Sequence, residues 1–264
     1  MNLLVCCKIV PDLDRLSLGD WVIEGQGRID TDYVRNMINP FDESALEMAL
    51  RLSDGPGLTA LTIGGRMADP FLKTLLALRF ERAVRIETPA DRRFCPDWIA
   101  ALIAAFVARS PQDVLILGRQ SGEGDNAKTP LLVAELLKRP CITEVLRIEA
   151  AAECLRVTSQ VDAGLLVQAV RPPLVLSVGN AAGTALRVPT LKQRMLSGKQ
   201  RIEVIDADSF GLEAVRASAG QDYVLDGMTL VSHRRAGRIV AGADARATAR
   251  TLYAECLKQR LEAL

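Results

Sequence analysis

The chain has 264 residues, 49% of them hydrophobic, enough for one large domain or two small ones with a sizeable core. Its 33 Lys and Arg stand against 32 Asp and Glu, a formal net charge of +1, which supports neither a general nucleic-acid role nor one at a membrane surface. Six cysteines lie scattered at Cys6, Cys7, Cys95, Cys141, Cys154 and Cys256 without Cys-x-x-Cys spacing, so neither a disulfide scaffold nor a zinc site is expected and a reducing cytoplasm fits.

The first apolar stretch, Asn2 to Cys7, ends at Lys8; it is too short for a signal peptide and predicts a strand. No uninterrupted apolar run reaches the roughly 18 residues of a membrane span, so no membrane insertion is expected. The segment Asn39-Pro40-Phe41-Asp42 is a helix-start signal: Asn39 as the cap, Pro40 where a missing N–H costs nothing, and Asp42 near the free amides of the first turn. Phe41, Ala45, Met48, Ala49 and Leu52 follow at helical spacing and predict a face packed on a core. The open N–H groups and positive dipole end of such a helix suit an anion.

Strand-like runs then appear at Leu58 to Ile63, Ala83 to Glu87 and Val114 to Leu117. They alternate with helical patterns from Asp69-Pro70, from Pro96-Asp97 and over Thr129 to Leu137. This predicts an α/β fold, a doubly wound and mostly parallel sheet with functional loops at the carboxyl ends of its strands. Two alternating runs, Cys154 to Thr158 and Leu165 to Val170, flank Val161-Asp162-Ala163-Gly164 and predict a β-hairpin added to that sheet, before a buried strand at Leu174 to Val178. Residues 179–245 show few periodic segments before a last helix at about Arg246 to Leu261. The division expected is a nucleotide-binding α/β domain over 1–200 and an irregular C-terminal arm and helix over 201–264 that packs on a partner.

The second chemical candidate is the loop Gly118-Arg119-Gln120-Ser121-Gly122-Glu123-Gly124-Asp125-Asn126-Ala127-Lys128-Thr129, between a strand and a helix. Its glycines let backbone amides approach a phosphate, and the next helix start adds its dipole. From Gly122 to Thr129 it is one residue short of a Walker A pattern, with Ala127 where Gly should precede Lys and Thr, and Glu123 and Asp125 place negative charge where phosphates would nest. His233, the sole histidine, stands in Ser232-His233-Arg234-Arg235 without a carboxylate to orient it, and no Gly-x-Ser-x-Gly elbow is present, so no catalytic residue is assigned. The basic cluster Lys192, Arg194, Lys199 and Arg201 has no interleaved aromatics and reads as a solvated face.

Together these segments resemble the beta subunit of electron transfer flavoproteins, from Met1 to about Val204. The resemblance rests on Lys8-Ile9-Val10-Pro11-Asp12, Asn39 to Asp42, the Gly-Arg-Gln-Ser loop that opens at Gly118, and Arg187-Val188-Pro189-Thr190-Leu191 followed by Met195. It implies an electron carrier rather than an enzyme, with an adenine nucleotide alpha hydrolase-like fold and a heterodimer in which an alpha subunit holds most of a redox-active FAD. The beta subunit would bury AMP, or a second FAD in electron-bifurcating members. By position the second nucleotide would contact Cys6, Lys8, Asn39, Pro40, Phe41, Asp42, Gly64, Gly65 and the whole stretch Gly118 to Thr129. Leu191 matches the leucine that docks on a partner dehydrogenase such as acyl-CoA dehydrogenase, with electrons passing on to a quinone oxidoreductase or another acceptor.

Three positions depart from the family pattern. The hairpin's Asp-Gly-Gly signature with its following glutamate reads Asp162-Ala163-Gly164-Leu165-Leu166, the acidic position before it is Gln160, and Lys128 replaces a usual Gln. Two other classes share these features. An ATP- or AMP-binding module of the universal-stress type would need neither partner nor flavin, and a P-loop-like hydrolase would turn over ATP through Lys128.

Overall fold

The computed structural model describes the chain apart from residues 18, 25–27, 54–56, 89–93, 123, 180, 182, 213–228, 230–236 and 263–264. The expectations for His233 and Glu123 therefore lie outside the described residues. Two compact units are present, Met1–Asp226 and Gly227–Leu264.

The first unit is built on nine strands: β1 (Leu3–Cys6), β6 (Leu58–Gly64), β7 (Arg82–Glu87), β8 (Val114–Gly118), β9 (Cys141–Ala151), β10 (Cys154–Val161), β11 (Gly164–Val170), β12 (Leu174–Val178) and β13 (Glu203–Asp206). They run in the order β11-β10-β9-β12-β8-β1-β6-β7-β13. Every pairing from β9 across to β13 is parallel, while β10 is antiparallel to both β9 and β11. This is the predicted α/β sheet with its hairpin addition.

Pro40–Leu52 forms α1, Asp69–Ala77 α2, Pro96–Arg109 α3 and Thr129–Leu137 α4. Period-2 alternation divides the strand side chains between two cores. Leu3 and Val5 of β1 join Leu46 of α1 and Leu75 of α2 on one face. Leu4 joins Trp98 and Phe106 of α3 and Val133 of α4 on the other. With both faces covered, β1, β8 and β12 are almost wholly apolar.

The buried face of α1 differs from the one its spacing suggested: Leu46 and Leu50 are fully buried, whereas Phe41 and Leu52 are only half-buried. The carboxylates of Asp42 and Glu47 also lie inside, because backbone amides and arginines meet them there, as described below.

β9 was not foreseen as a separate strand; it carries the hairpin onto the sheet by pairing parallel to β12. Two small ribbons, β2 (Ile9–Pro11) with β5 (Asn36–Ile38) and β3 (Ile23–Glu24) with β4 (Arg28–Ile29), fill the stretch between β1 and α1. Among the described residues of 179–245, a helix and a strand interrupt the irregularity that its composition suggested. Leu191–Ser197 forms α5, and β13 joins the edge of the sheet beside β7, beyond the residue at which the arm was expected to begin.

In the second unit Ala245–Leu252 forms α6, capped by Asp244, whose carboxylate accepts the Ala247 N–H at 2.7 Å. The helical path continues through a π-helical stretch, Tyr253–Leu257, to Lys258–Glu262, close to the predicted last helix. Among the described residues, no helix is long and apolar enough to cross a membrane.

Candidate functional site

The chain builds β1, then β6 and β7 to one side of it, and returns to place β8 on the other. The resulting reversal opens a crevice at the carboxyl ends of β1 and β8, the usual ligand position in such a sheet. A cavity of about 620 Å³ lies there, within the range of cofactor sites. It gathers segments far apart in sequence: Cys6 to Lys8 after β1, Asn39 and Asp42 at the start of α1, Gly64 and Gly65 after β6, and Gly118 to Ser121, Asn126 and Thr129 between β8 and α4.

Asp42 ties the crevice together. Its carboxylate accepts the Lys8 N–H at 2.8 Å and the Gly118 N–H at 2.9 Å, so one side chain joins the ends of β1 and β8. Burial pushes this carboxyl up to about 6, against the lowering pull of those amides, the Asn39 side chain and the Lys8 charge. The neighbouring Cys6 and Cys7 thiols are pushed up by burial and, less strongly, by Asp42, so they are protonated linings rather than nucleophiles.

Gly118 permits this closeness. A Cβ there would lie 2.3 Å from Asp42 Oδ1 and 2.8 Å from Phe41 Cβ. At Gly64 and Gly65 an added Cβ would meet nothing within 4 Å, so packing does not require glycine there and the space stays with the cavity.

Asn39 acts differently from its sequence expectation. Its side chain does not cap α1; Nδ2 donates to the Gln120 carbonyl at 2.8 Å, linking the helix start to the loop after β8. Its Oδ1 is buried without a hydrogen-bond partner, as is Arg119 Nε. Both residues line the cavity, and orphaned polar atoms in such a place suit a polar ligand. Lys8 Nζ reaches within 3.4 Å of Ser121 Oγ.

The loop before α4 turns through left-handed backbone at Gly124 (φ 84°), Asp125 (φ 35°) and Ala127 (φ 52°). For the two non-glycines this stores on the order of 1–3 kcal/mol each, of the kind concentrated at binding sites. Lys128 is exposed and does not line the cavity, where a P-loop lysine would have to stand. Pro40, Phe41, Gly122, Gly124, Asp125 and Ala127 likewise lie outside the lining.

Sequence reasoning missed the apolar wall: Leu61, Ile63, Met67, Ile99, Ile103 and Leu117. Apolar residues in strands and helices signal core positions, and a hint of a second role covered only part of the wall: Ile63 and Leu117 lie next to the carboxyl ends of β6 and β8, and Ile99 lies in the first turn of Pro-initiated α3.

A second feature surrounds α5. Thr190 caps it in a reciprocal box with Gln193, and the preceding Arg187 is anchored to buried Glu47. Leu191 is 74% exposed, and its sequence neighbours Val188, Met195 and Leu196 are exposed as well.

A family model described as the electron transfer flavoprotein domain matches residues 26–210. The chain is 33% identical to the provisionally named electron transfer flavoprotein subunit YgcR of Escherichia coli, over 99% of this chain and all of that one. It is 28% identical to the electron transfer flavoprotein subunit beta of Bacillus subtilis, over 81% of this chain and 82% of that one. It is 27% identical to the acryloyl-CoA reductase electron transfer subunit gamma of Anaerotignum propionicum, over 79% of each. The matched domain, full-length similarity to one electron transfer flavoprotein subunit and similarity over about four fifths of the others agree with a crevice at the sheet's reversal: this chain belongs to the electron transfer flavoprotein family, among its beta-type subunits.

Proposed function

We propose that the chain is the beta subunit of a heterodimeric electron transfer flavoprotein, that its crevice holds AMP or a second FAD, and that a FAD shared with an alpha subunit carries the electrons. The observation that carries this reading is the convergence of Lys8, Asn39, Gly64, Gly65 and the Gly118 loop on one cavity. Lys8 and the α4 N-terminus, which has no side-chain cap, suit phosphate oxygens. Asn39 Oδ1 suits a hydroxyl or amino donor, and Arg119 Nε an acceptor. Bound flavin would supply the redox chemistry; the residues of this chain bind it, orient it and exclude water from it.

The electron donor in this reading is a dehydrogenase such as acyl-CoA dehydrogenase, docking at Leu191, and the acceptor a quinone oxidoreductase or similar protein. Leu252, Tyr253, Leu257 and Leu261 are exposed on the C-terminal helical stretch and suit an apolar seat on the alpha subunit.

The test is native purification of the chain with whatever accompanies it, followed by mass spectrometry of the small molecules released by heat. AMP with one FAD and a second subunit supports the ordinary carrier; two FAD per heterodimer supports the bifurcating form. ATP alone, with neither flavin nor partner, overturns the reading in favour of a universal-stress-type module. ATP turnover dependent on Lys128 overturns it in favour of a hydrolase.

A further inference from the structure

Glu144 of β9 stands beside the cavity without lining it, and the local structure is shaped around it. The ladder of β9 to β12 shifts register across it, Leu176 pairing with Ile142 but Val178 with Val145, and the ladder to β10 shifts just beyond it, Thr158 pairing with Arg147 but Ser159 with Val145. Such a bulge re-aims a side chain. Glu144 itself has left-handed backbone, φ 52°, an uncommon state for this residue type. Opposite it, Gly179 leaves room that no other residue would, since a Cβ there would lie 2.6 Å from Glu144 Oε2 and 3.1 Å from its Cα.

The carboxylate so placed accepts Arg119 Nη1 at 2.5 Å. The guanidinium also lies over the Phe41 ring, 5.5 Å from its centroid. Arg119 is thus fixed on two sides at the cavity while its buried Nε keeps no partner. Because Glu144 compensates the charge, the group offers a planar hydrogen-bond donor rather than a free cation.

We propose that Glu144 is a positioning residue, holding Arg119 so that its Nε–H donates to an uncharged acceptor on the base or ring of the bound nucleotide. This rests on the reading of the crevice as a nucleotide site. A phosphate partner for Arg119 would instead make Glu144 a competitor, and the two roles have opposite signs.

The experiment strips the full-length chain of nucleotide and titrates it with AMP and with FAD, as wild type, Glu144→Gln, Arg119→Gln and the double variant. Thermal melting reports the fold, and NMR follows the Arg119 Nε–H resonance, assigned by its loss in Arg119→Gln. Expected are about tenfold weaker binding in Glu144→Gln, no further loss in the double variant relative to Arg119→Gln, and broadening of the Nε–H resonance without Glu144. Tighter or unchanged binding in Glu144→Gln overturns the proposal, as does an unaltered Nε–H resonance. If the wild type binds neither nucleotide, the nucleotide reading itself fails and takes the ligand role with it. The resonance then still decides whether Glu144 holds Arg119.

Discussion

Arg187 closes a two-pronged ion pair on Glu47, 140 positions earlier: Nη2 donates to Oε1 at 2.7 Å and Nε to Oε2 at 3.0 Å. The Arg187 backbone N–H adds a bond at 3.2 Å, and Arg51 donates to Oε1 at 2.9 Å. Burial pushes the Glu47 carboxyl up, but these donors outweigh it and leave the group below its ordinary value. The segment carrying Leu191 is thereby fastened to the middle of α1.

Glu47→Gln should cost about 1–3 kcal/mol, since a neutral amide accepts one arginine poorly and turns a donor toward the other. The cost stays below that of a fully buried pair because the Arg187 side chain is 42% exposed and can regain water. Urea denaturation checks this; a change under about 0.5 kcal/mol would show that the pair adds nothing to the fold.

Leu191→Ala tests the docking role without touching the core. At 74% exposure the lost side chain should change stability by no more than about 0.5 kcal/mol, while electron transfer to or from a partner dehydrogenase falls several-fold with bound flavin unchanged. An unaltered transfer rate would sink the assignment.

Gly118 and Gly65 give a contrast between packing and site. At Gly118 an added methyl would meet Asp42 Oδ1 at 2.3 Å and the Asp42 N at 2.9 Å, so Gly118→Ala should destabilise the chain by about 1–3 kcal/mol as α1 is driven from β8. At Gly65, with φ −86° and nothing within 4 Å, alanine should leave stability within about 0.5 kcal/mol yet lower nucleotide occupancy. Melting temperature and nucleotide content, measured together, separate the two. Full occupancy in Gly65→Ala would remove that loop from the site.

The parallel sheet was legible because its information is local. The apolar runs of β6, β7 and β8 and the Pro-marked starts of α1, α2 and α3 sit within one residue of where the patterns put them. β9 was not, since its charged positions Glu144, Arg147 and Glu149 break any apolar run and its place depends on pairing to β12 and β10. The site divides the same way. Glycines and the helix start announce the polar rim, whereas the cross-links Asn39 to Gln120, Asp42 to Gly118 and Arg119 to Glu144 span 81, 76 and 25 positions and exist only once the strands are in order. Asn39 illustrates the limit: its residue type fits a cap, and only the approach of the Gln120 carbonyl draws its side chain away.

Asp42 makes the site's coupling to pH testable. Its folded value of about 6 lies above the ordinary 3.8, so between those values the native state keeps a proton that the unfolded chain has released. The contribution is fully present below the unfolded value and is lost as pH rises through about 6. Asp42→Asn cannot titrate, and its amide sets an N–H against one of the two backbone donors at Lys8 and Gly118. The stability of the wild type relative to this variant should therefore grow on acidification from about pH 7.5 to about pH 4, by on the order of 2–3 kcal/mol. Glu47 supplies the opposite sign: its lowered value stabilises the fold above the ordinary carboxylate range and is lost as pH falls. Comparing each variant with the wild type in urea across that span separates the two carboxylates. A gap between wild type and Asp42→Asn that stays flat or narrows toward acid would mean that the Lys8 and Gly118 amides hold Asp42 ionised, and that burial does not govern its charge.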